Sequence, residues 1–83
     1  MKQYLLKVEV EPLEEGGYLA TCPELQGCHA EGKTVAEALE ILEDVARILL
    51  ELRKEDGLSL PEGLERVTPD TVIKAQVVVT VAE

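Results

Sequence analysis

The residues best suited to chemistry are two cysteines and a histidine that lie close together in the chain. Cys22, Cys28 and His29 are the only two thiols and the only imidazole. Thiolates and imidazoles are common zinc ligands, but a structural zinc site needs four ligands and this cluster supplies three. On a strand, Cys28 and His29 would also point to opposite faces. We therefore interpret the cluster as two packed thiols beside a surface histidine, with a disulfide across the turn as the lesser alternative and no metal site.

The other polar residues give no sign of an active site. A catalytic His29 would need an orienting carboxylate and a nucleophile nearby, and the adjacent Cys28 does not supply that geometry. A nuclease of the RNase H type needs several carboxylates that converge on Mg²⁺, but only Glu9 and Glu11 lie at a suitable place. Gly16 and Gly17 follow a strand without opening a helix, so they form no phosphate loop. We expect no catalytic residues, no cofactor and no enzymatic activity.

Three strand-like runs and a helix surround this cluster. Residues 3–11 alternate between apolar and polar side chains, and residues 17–22 and 27–31 follow as shorter runs. Pro23 begins a turn because proline removes a backbone donor, and we expect positive φ at Gly27 and Gly32, on either side of the third run. A long β-branched run at residues 72–81 predicts a fourth strand. Residues 57–71 have no clear period and read as a connection.

The helix is predicted over residues 35–54. Thr34 and Glu37 have the spacing of a capping box, and the apolar residues that follow recur at helical spacing. Ile41, Ile48 and Leu52 form a second apolar row beside the main stripe. This row fits either a deep core within one domain or burial against a second chain. The carboxylates along the helix are most simply a solvated face.

The order of elements predicts a single α+β domain over residues 1–83. We expect β-β-β-α-β, with an antiparallel three-stranded meander and the helix packed on the sheet. A right-handed crossover after the helix would place the fourth strand parallel to the first and beside it.

Composition narrows the classes of partner. The chain has 83 residues and a formal charge of −9, which argues against direct nucleic-acid binding and suits a basic protein partner. No apolar run is long enough to span a membrane, and the N-terminus has no signal-like core, so a cytoplasmic location is the default. The absence of Asn and the presence of only three Gln give a thermophile-like composition. The small core predicts self-association as a dimer or tetramer.

The ordered pattern resembles the HicB antitoxin family. It comprises Gly17-Tyr18, the motif Cys-Pro-x-Leu-x-Gly-Cys at residues 22–28, and the motif Gly-x-Thr-x-x-Glu-Ala at residues 32–38. The resemblance covers about residues 3–61 and implies a partial RNase H-like domain without nuclease activity. In full-length members this domain neutralises a small basic HicA-like toxin that cleaves mRNA, and an appended domain binds the operator. One strand is all we predict after Thr71, so we expect no such DNA-binding domain here.

We therefore expect a non-catalytic, antitoxin-like interaction module. The alternative is a homo-oligomeric small domain with an unknown ligand and no toxin partner. The predicted partner-binding residues are Glu24, Leu25, Gln26, Glu40, Glu43, Asp44 and Glu51. The predicted oligomer interface is Ile41, Ile48, Leu52, Val77, Val78 and Val79.

Overall fold

A computed structural model describes residues 2–82 and shows an α+β fold with one helix and two small sheets. The elements are β1 (Tyr4–Leu5), β2 (Glu9–Pro12), β3 (Tyr18–Thr21), β4 (His29–Gly32), α1 (Val35–Glu55) and β5 (Glu65–Arg66). β2, β3 and β4 form an antiparallel meander in that order, and β1 pairs antiparallel with β5. The α+β class, the meander and the helix are as predicted. Within residues 2–82 there is no helix of the length and apolarity that a bilayer crossing requires.

The core lies between α1 and one face of the meander. Ala20 and Ala30 are opposite each other on β3 and β4, and both are buried, as are Ala38 and Leu42 on α1. Alternate residues of β3 and β4 point to opposite faces, so the small side chains collect under the helix. Tyr18, Leu39, Val45 and Leu49 pack around the edge of this cluster. The predicted helical stripe is therefore the core-facing side of α1.

The predicted first strand is interrupted in the middle. Residues 6–8 lie outside both ladders, which leaves β1 and β2 in different sheets. The backbone N–H of Lys7 donates to Glu24 Oε1 over 3.0 Å. A donor bound to a side chain is withdrawn from strand pairing, so this contact accompanies the break.

Both ends of α1 have specific caps. Thr34 Oγ1 accepts from the Glu37 N–H over 3.0 Å, and the Glu37 carboxylate accepts from the Lys33 N–H over 2.8 Å. In the standard capping box the carboxylate accepts from the backbone N–H of the N-cap residue, whereas here it accepts from the N–H of the residue before the N-cap. At the other end, Gly57 has φ +69° and its N–H donates to the Lys54 carbonyl, while the Leu58 N–H donates to the Arg53 carbonyl. This pair of bonds is the Schellman motif.

Gly32 has a different role from the one we predicted. Gly27 does have positive φ, at +80°, but Gly32 does not. A Cβ at Gly32 would lie 2.8 Å from Ala38 Cα and 2.9 Å from the Glu37 carbonyl carbon. The glycine is needed because the end of β4 passes directly against the backbone of the first turn of α1.

The prediction of a fourth strand at residues 72–81 beside the first is wrong for this chain. The neighbour of β1 is β5, whose Glu65 and Arg66 pair with Leu5 and Tyr4. Residues 72–81 lie outside both sheets and are exposed. The short pair formed by β5 occupies the place beside β1 that the β-branched run was expected to fill. We refer to residues 72–81 as the C-terminal arm.

Candidate protein-interaction site

The Cys22–Cys28 segment forms a closed turn whose thiols face the core. The Cys22 N–H donates to the Cys28 carbonyl over 3.0 Å, and the Leu25 and Cys28 N–H groups donate within the turn. Both cysteines are free and 2% exposed, whereas His29 is exposed. Burial, with smaller effects from the neighbouring Cys22 thiol, raises the pKa of Cys28 above its ordinary 9.0. The predicted arrangement of two packed thiols and a surface histidine is confirmed, and the thiols are not bridged.

The predicted contacts on this turn fall into two groups. Leu25 is 2% exposed and belongs to the core, so the prediction that it contacts a partner is wrong. The backbone hydrogen bonds of the turn accompany the packing of the Leu25 side chain into the buried core cluster. Glu24 is half-buried, and its carboxylate already accepts a hydrogen bond from the Lys7 backbone N–H within the chain. Gln26 is the one member of this trio that is exposed.

The solvent side of α1 carries an exposed acidic strip. We define it as Glu40, Glu43, Asp44 and Glu51. Arg47 lies 3.2 Å from Glu51 and 4.0 Å from Asp44, which partly compensates those two carboxylates. Among residues 2–82, no cation forms an ion pair with Glu40 or Glu43. The strip therefore presents uncompensated negative charge to solvent.

A row of exposed apolar side chains runs beside the acidic strip. Ile41, Ile48 and Leu52 are 40%, 49% and 48% exposed. Of the two interpretations given for this row, a deep core within one domain is excluded, because residues 2–82 leave these three side chains exposed. An apolar centre bordered by charged residues is the common anatomy of a protein–protein interface.

The outer face of the meander is a second acidic surface that the sequence patterns did not reveal. Glu9 and Glu11 on β2 and Glu31 on β4 are all exposed, with Leu19 and Thr21 between them on β3. The register of the strands brings these carboxylates to one face, and the sequence of β2 or of β4 alone does not show that they share a surface. The alternation of side chains in residues 28–32 places Glu31 on the face of the sheet opposite to the one that carries Ala30, and this signal could have indicated the acidic surface. Within residues 2–82, no group of His, Cys, Asp and Glu side chains converges closely enough to hold a metal ion.

A large open groove separates the C-terminal arm from the N-terminal strands. Its volume is about 1480 Å³. One wall contains Leu6, Val8, Val10 and Leu39, and the other contains residues 72–78 of the arm. Val77, Val78 and Val79 are between 70% and 82% exposed, so the predicted interface residues of the arm are accessible.

These features define a class of small, strongly acidic α+β domains that display charged and apolar surfaces to solvent. Within that class, the chain belongs to the UPF0150 family of proteins. It is 43% identical over 54 residues to the UPF0150 protein ssl0738 of Synechocystis sp., a match that covers 64% of this chain and 75% of that protein.

A second relative comes from an archaeon. The chain is 35% identical over 52 residues to a UPF0150 protein of Archaeoglobus fulgidus, which covers 60% of this chain and 75% of that protein. No protein-family model matches the chain.

Proposed function

We propose that this protein is a non-catalytic interaction module that binds and neutralises a small basic protein in the cytoplasm, in the manner of a HicB-type antitoxin. The observation that carries the proposal is the helix surface made by the acidic strip and the apolar row beside it. Its charge suits a basic partner, and its exposed isoleucines and leucine supply area to bury. The ordered motifs at residues 17–38 supply the resemblance to antitoxins.

Charge supports this proposal at long range as well as at the surface. A net charge of −9 attracts a basic protein before contact and increases its association rate. Glu40 and Glu43 have no cationic partner in the described range, so they are available to pair with lysine or arginine on the toxin. The proposed contact surface is therefore α1, together with Gln26, the exposed member of the three predicted contact residues in the turn.

The side chains with catalytic potential are arranged unfavourably for catalysis. A thiol acts as a nucleophile in its thiolate form, and Cys28 is buried with a raised pKa. His29 and Cys28 are consecutive residues, and one is exposed while the other faces the core. This arrangement supports a binding role for the domain.

The proposal is tested with the product of the adjacent reading frame. If that product is a short basic protein, its expression alone should arrest growth, and co-expression of this chain should restore it. The purified pair should form a complex whose affinity falls as salt is raised, because screening weakens contacts between exposed charges. A basic neighbour that is harmless, or that fails to bind at low salt, would contradict the antitoxin proposal.

Two matched triple variants locate the contact surface. Replacing Glu40, Glu43 and Glu51 with Lys should weaken the complex at least tenfold. Replacing Glu9, Glu11 and Glu31 with Lys changes the net charge equally but leaves α1 intact, so it should weaken binding much less. Equal effects would show that overall charge, not the helix surface, determines binding. A larger effect of the second variant would move the contact to the outer face of the meander.

A further inference from the structure

The C-terminal arm has the side chains of a sheet strand, but it pairs with no strand in the part of the chain that the structure describes. Val72, Val77, Val79 and Val81 are each more than 70% exposed. Within residues 2–82, no backbone hydrogen bond of the arm is formed beyond Thr71. β-branched residues favour the extended conformation, and their unpaired N–H and C=O groups offer a template for another strand.

The point at which the arm leaves the domain is fixed by hydrogen bonds. The Val67 N–H donates to the Gln3 carbonyl over 2.8 Å, directly after β5 pairs with β1. In the turn that follows, the Thr68 N–H donates to Thr71 Oγ1 over 2.7 Å, and the Thr71 N–H donates to the Thr68 carbonyl over 3.1 Å. β5 pairs with β1, and the arm that follows lies beside the domain without joining that ladder.

The groove between the arm and the N-terminal strands is open and mostly apolar. At about 1480 Å³ it exceeds the roughly 300–1,000 Å³ of ordinary small-molecule sites. Leu6, Val8 and Val10 line it, and β2 is an edge strand of the meander. A site of this size beside an unpaired strand edge fits an extended polypeptide.

We propose that the occupant of this groove is the C-terminal arm of a second copy of this chain, so that two copies exchange arms. The partner's arm would lie between β2 and the chain's own arm. A two-fold axis makes the exchange reciprocal and leaves the two arms antiparallel beside each other. The same chain thus provides both an open groove and the apolar strand that fills it.

Charge is compatible with contact between two copies at the arm. Two molecules that each carry −9 repel one another across most of their surfaces. Lys74 is the only charged residue among residues 72–81, and the partner strand β2 carries Glu9 and Glu11. The arm is therefore a segment where like-charge repulsion is weak and where the single charge is complementary to the carboxylates of β2. This proposal does not depend on a toxin partner.

Light scattering on the full chain tests the exchange. The parent should have the mass of two 9.1 kDa chains at micromolar concentration. Val78→Lys should raise the dimer dissociation constant at least tenfold, because it places a charge within the apolar pair of arms. Ile48→Lys places the same charge on the apolar row of α1, which is the other predicted oligomer interface, so an intact dimer in this variant assigns the interface to the arms. Circular dichroism should be unchanged in both variants, since both sites are exposed within one chain.

A monomeric parent would overturn the proposal. A dimer that survives Val78→Lys but dissociates with Ile48→Lys would also overturn it, since the interface would then lie on α1.

Chemical cross-linking distinguishes exchange from docking of the arm within one chain. Val8 and Val78 both line the groove. One variant would carry Val8→Cys and the other Val78→Cys, and a short bismaleimide would be added to the mixture after the two are refolded together. Exchange predicts a cross-linked species of twice the chain mass that contains one copy of each variant. If the double variant Val8→Cys/Val78→Cys is instead linked only within single chains, the arm docks in its own groove and the proposal fails.

Discussion

Cys22 and Cys28 are nucleophilic side chains that the fold buries. Each is 2% exposed, and the turn between them is closed by three backbone hydrogen bonds. Burial disfavours the thiolate, so the raised pKa of Cys28 and its inaccessibility act in the same direction. These two thiols serve as small apolar side chains of the core.

The raised pKa of Cys28 predicts a loss of stability in alkaline solution. The folded state holds the proton more tightly than the unfolded state, so the contribution is complete below the ordinary pKa of 9.0 and is lost as pH rises through the raised value. Urea unfolding of the parent should therefore show a steeper fall in unfolding free energy above pH 9 than Cys28→Ala. Parallel pH profiles for the two proteins would contradict this.

Gly32 marks the tightest contact between the sheet and the helix. Gly32→Ala should lower the unfolding free energy by about 1–3 kcal/mol, because the new methyl group meets backbone atoms of Glu37 and Ala38 that no side-chain rotation can move. Glu31→Ala changes the neighbouring exposed residue of β4 and serves as the control. Equal denaturation midpoints for the two variants would show that the helix can shift away without cost.

At the scale of elements, α1 depends on its first turn. Thr34→Ala removes the acceptor of the Glu37 N–H and should cost about 1 kcal/mol. For a domain of this length that corresponds to a fall in Tm of roughly 4–8 °C. Thr34→Ser keeps the hydroxyl and should retain most of the stability. If serine and alanine destabilise alike, the threonine acts through its methyl group and not through the cap.

The elements that sequence patterns predicted well are those with strong local signals. The bounds of α1 were predicted to within a residue at each end, from the capping pair Thr34 and Glu37 and from the helical spacing of the leucines. The prolines and glycines of the sequence correctly predicted where the turns of the meander lie.

The elements that the patterns missed depend on long-range contacts. β5 is two exposed charged residues whose only strand property is the register with β1. The break in the first strand is accompanied by a hydrogen bond between Lys7 and Glu24, which are 17 residues apart. The β-branched run at residues 72–81 has high strand propensity, but propensity cannot name a partner strand. The candidate site divides in the same way, since the acidic strip follows helical spacing whereas the outer face of the meander follows strand register.

At the scale of the whole molecule, the net charge predicts which ligands the protein will not bind. With −9 it should bind neither operator-length DNA nor RNA at physiological salt, because phosphate binding requires clustered cations. Gel shifts with the purified protein should show free nucleic acid at micromolar protein concentration. A salt-sensitive shift below that concentration would contradict the expectation and would indicate a basic patch that the charge balance conceals.

The small side chains of the core have a thermal consequence. Six of the eight residues that are buried within residues 2–82 are alanine or cysteine, so each exposes little apolar surface when the chain unfolds. Globular proteins average roughly 12–15 cal/mol/K of heat capacity per residue, most of it from newly hydrated apolar area. For a monomer, whose arm is already hydrated in the folded state, calorimetry should give a heat-capacity change of unfolding per residue below that range. Its stability curve would then be broad and shallow, with a folding free energy that changes little between cold and warm conditions.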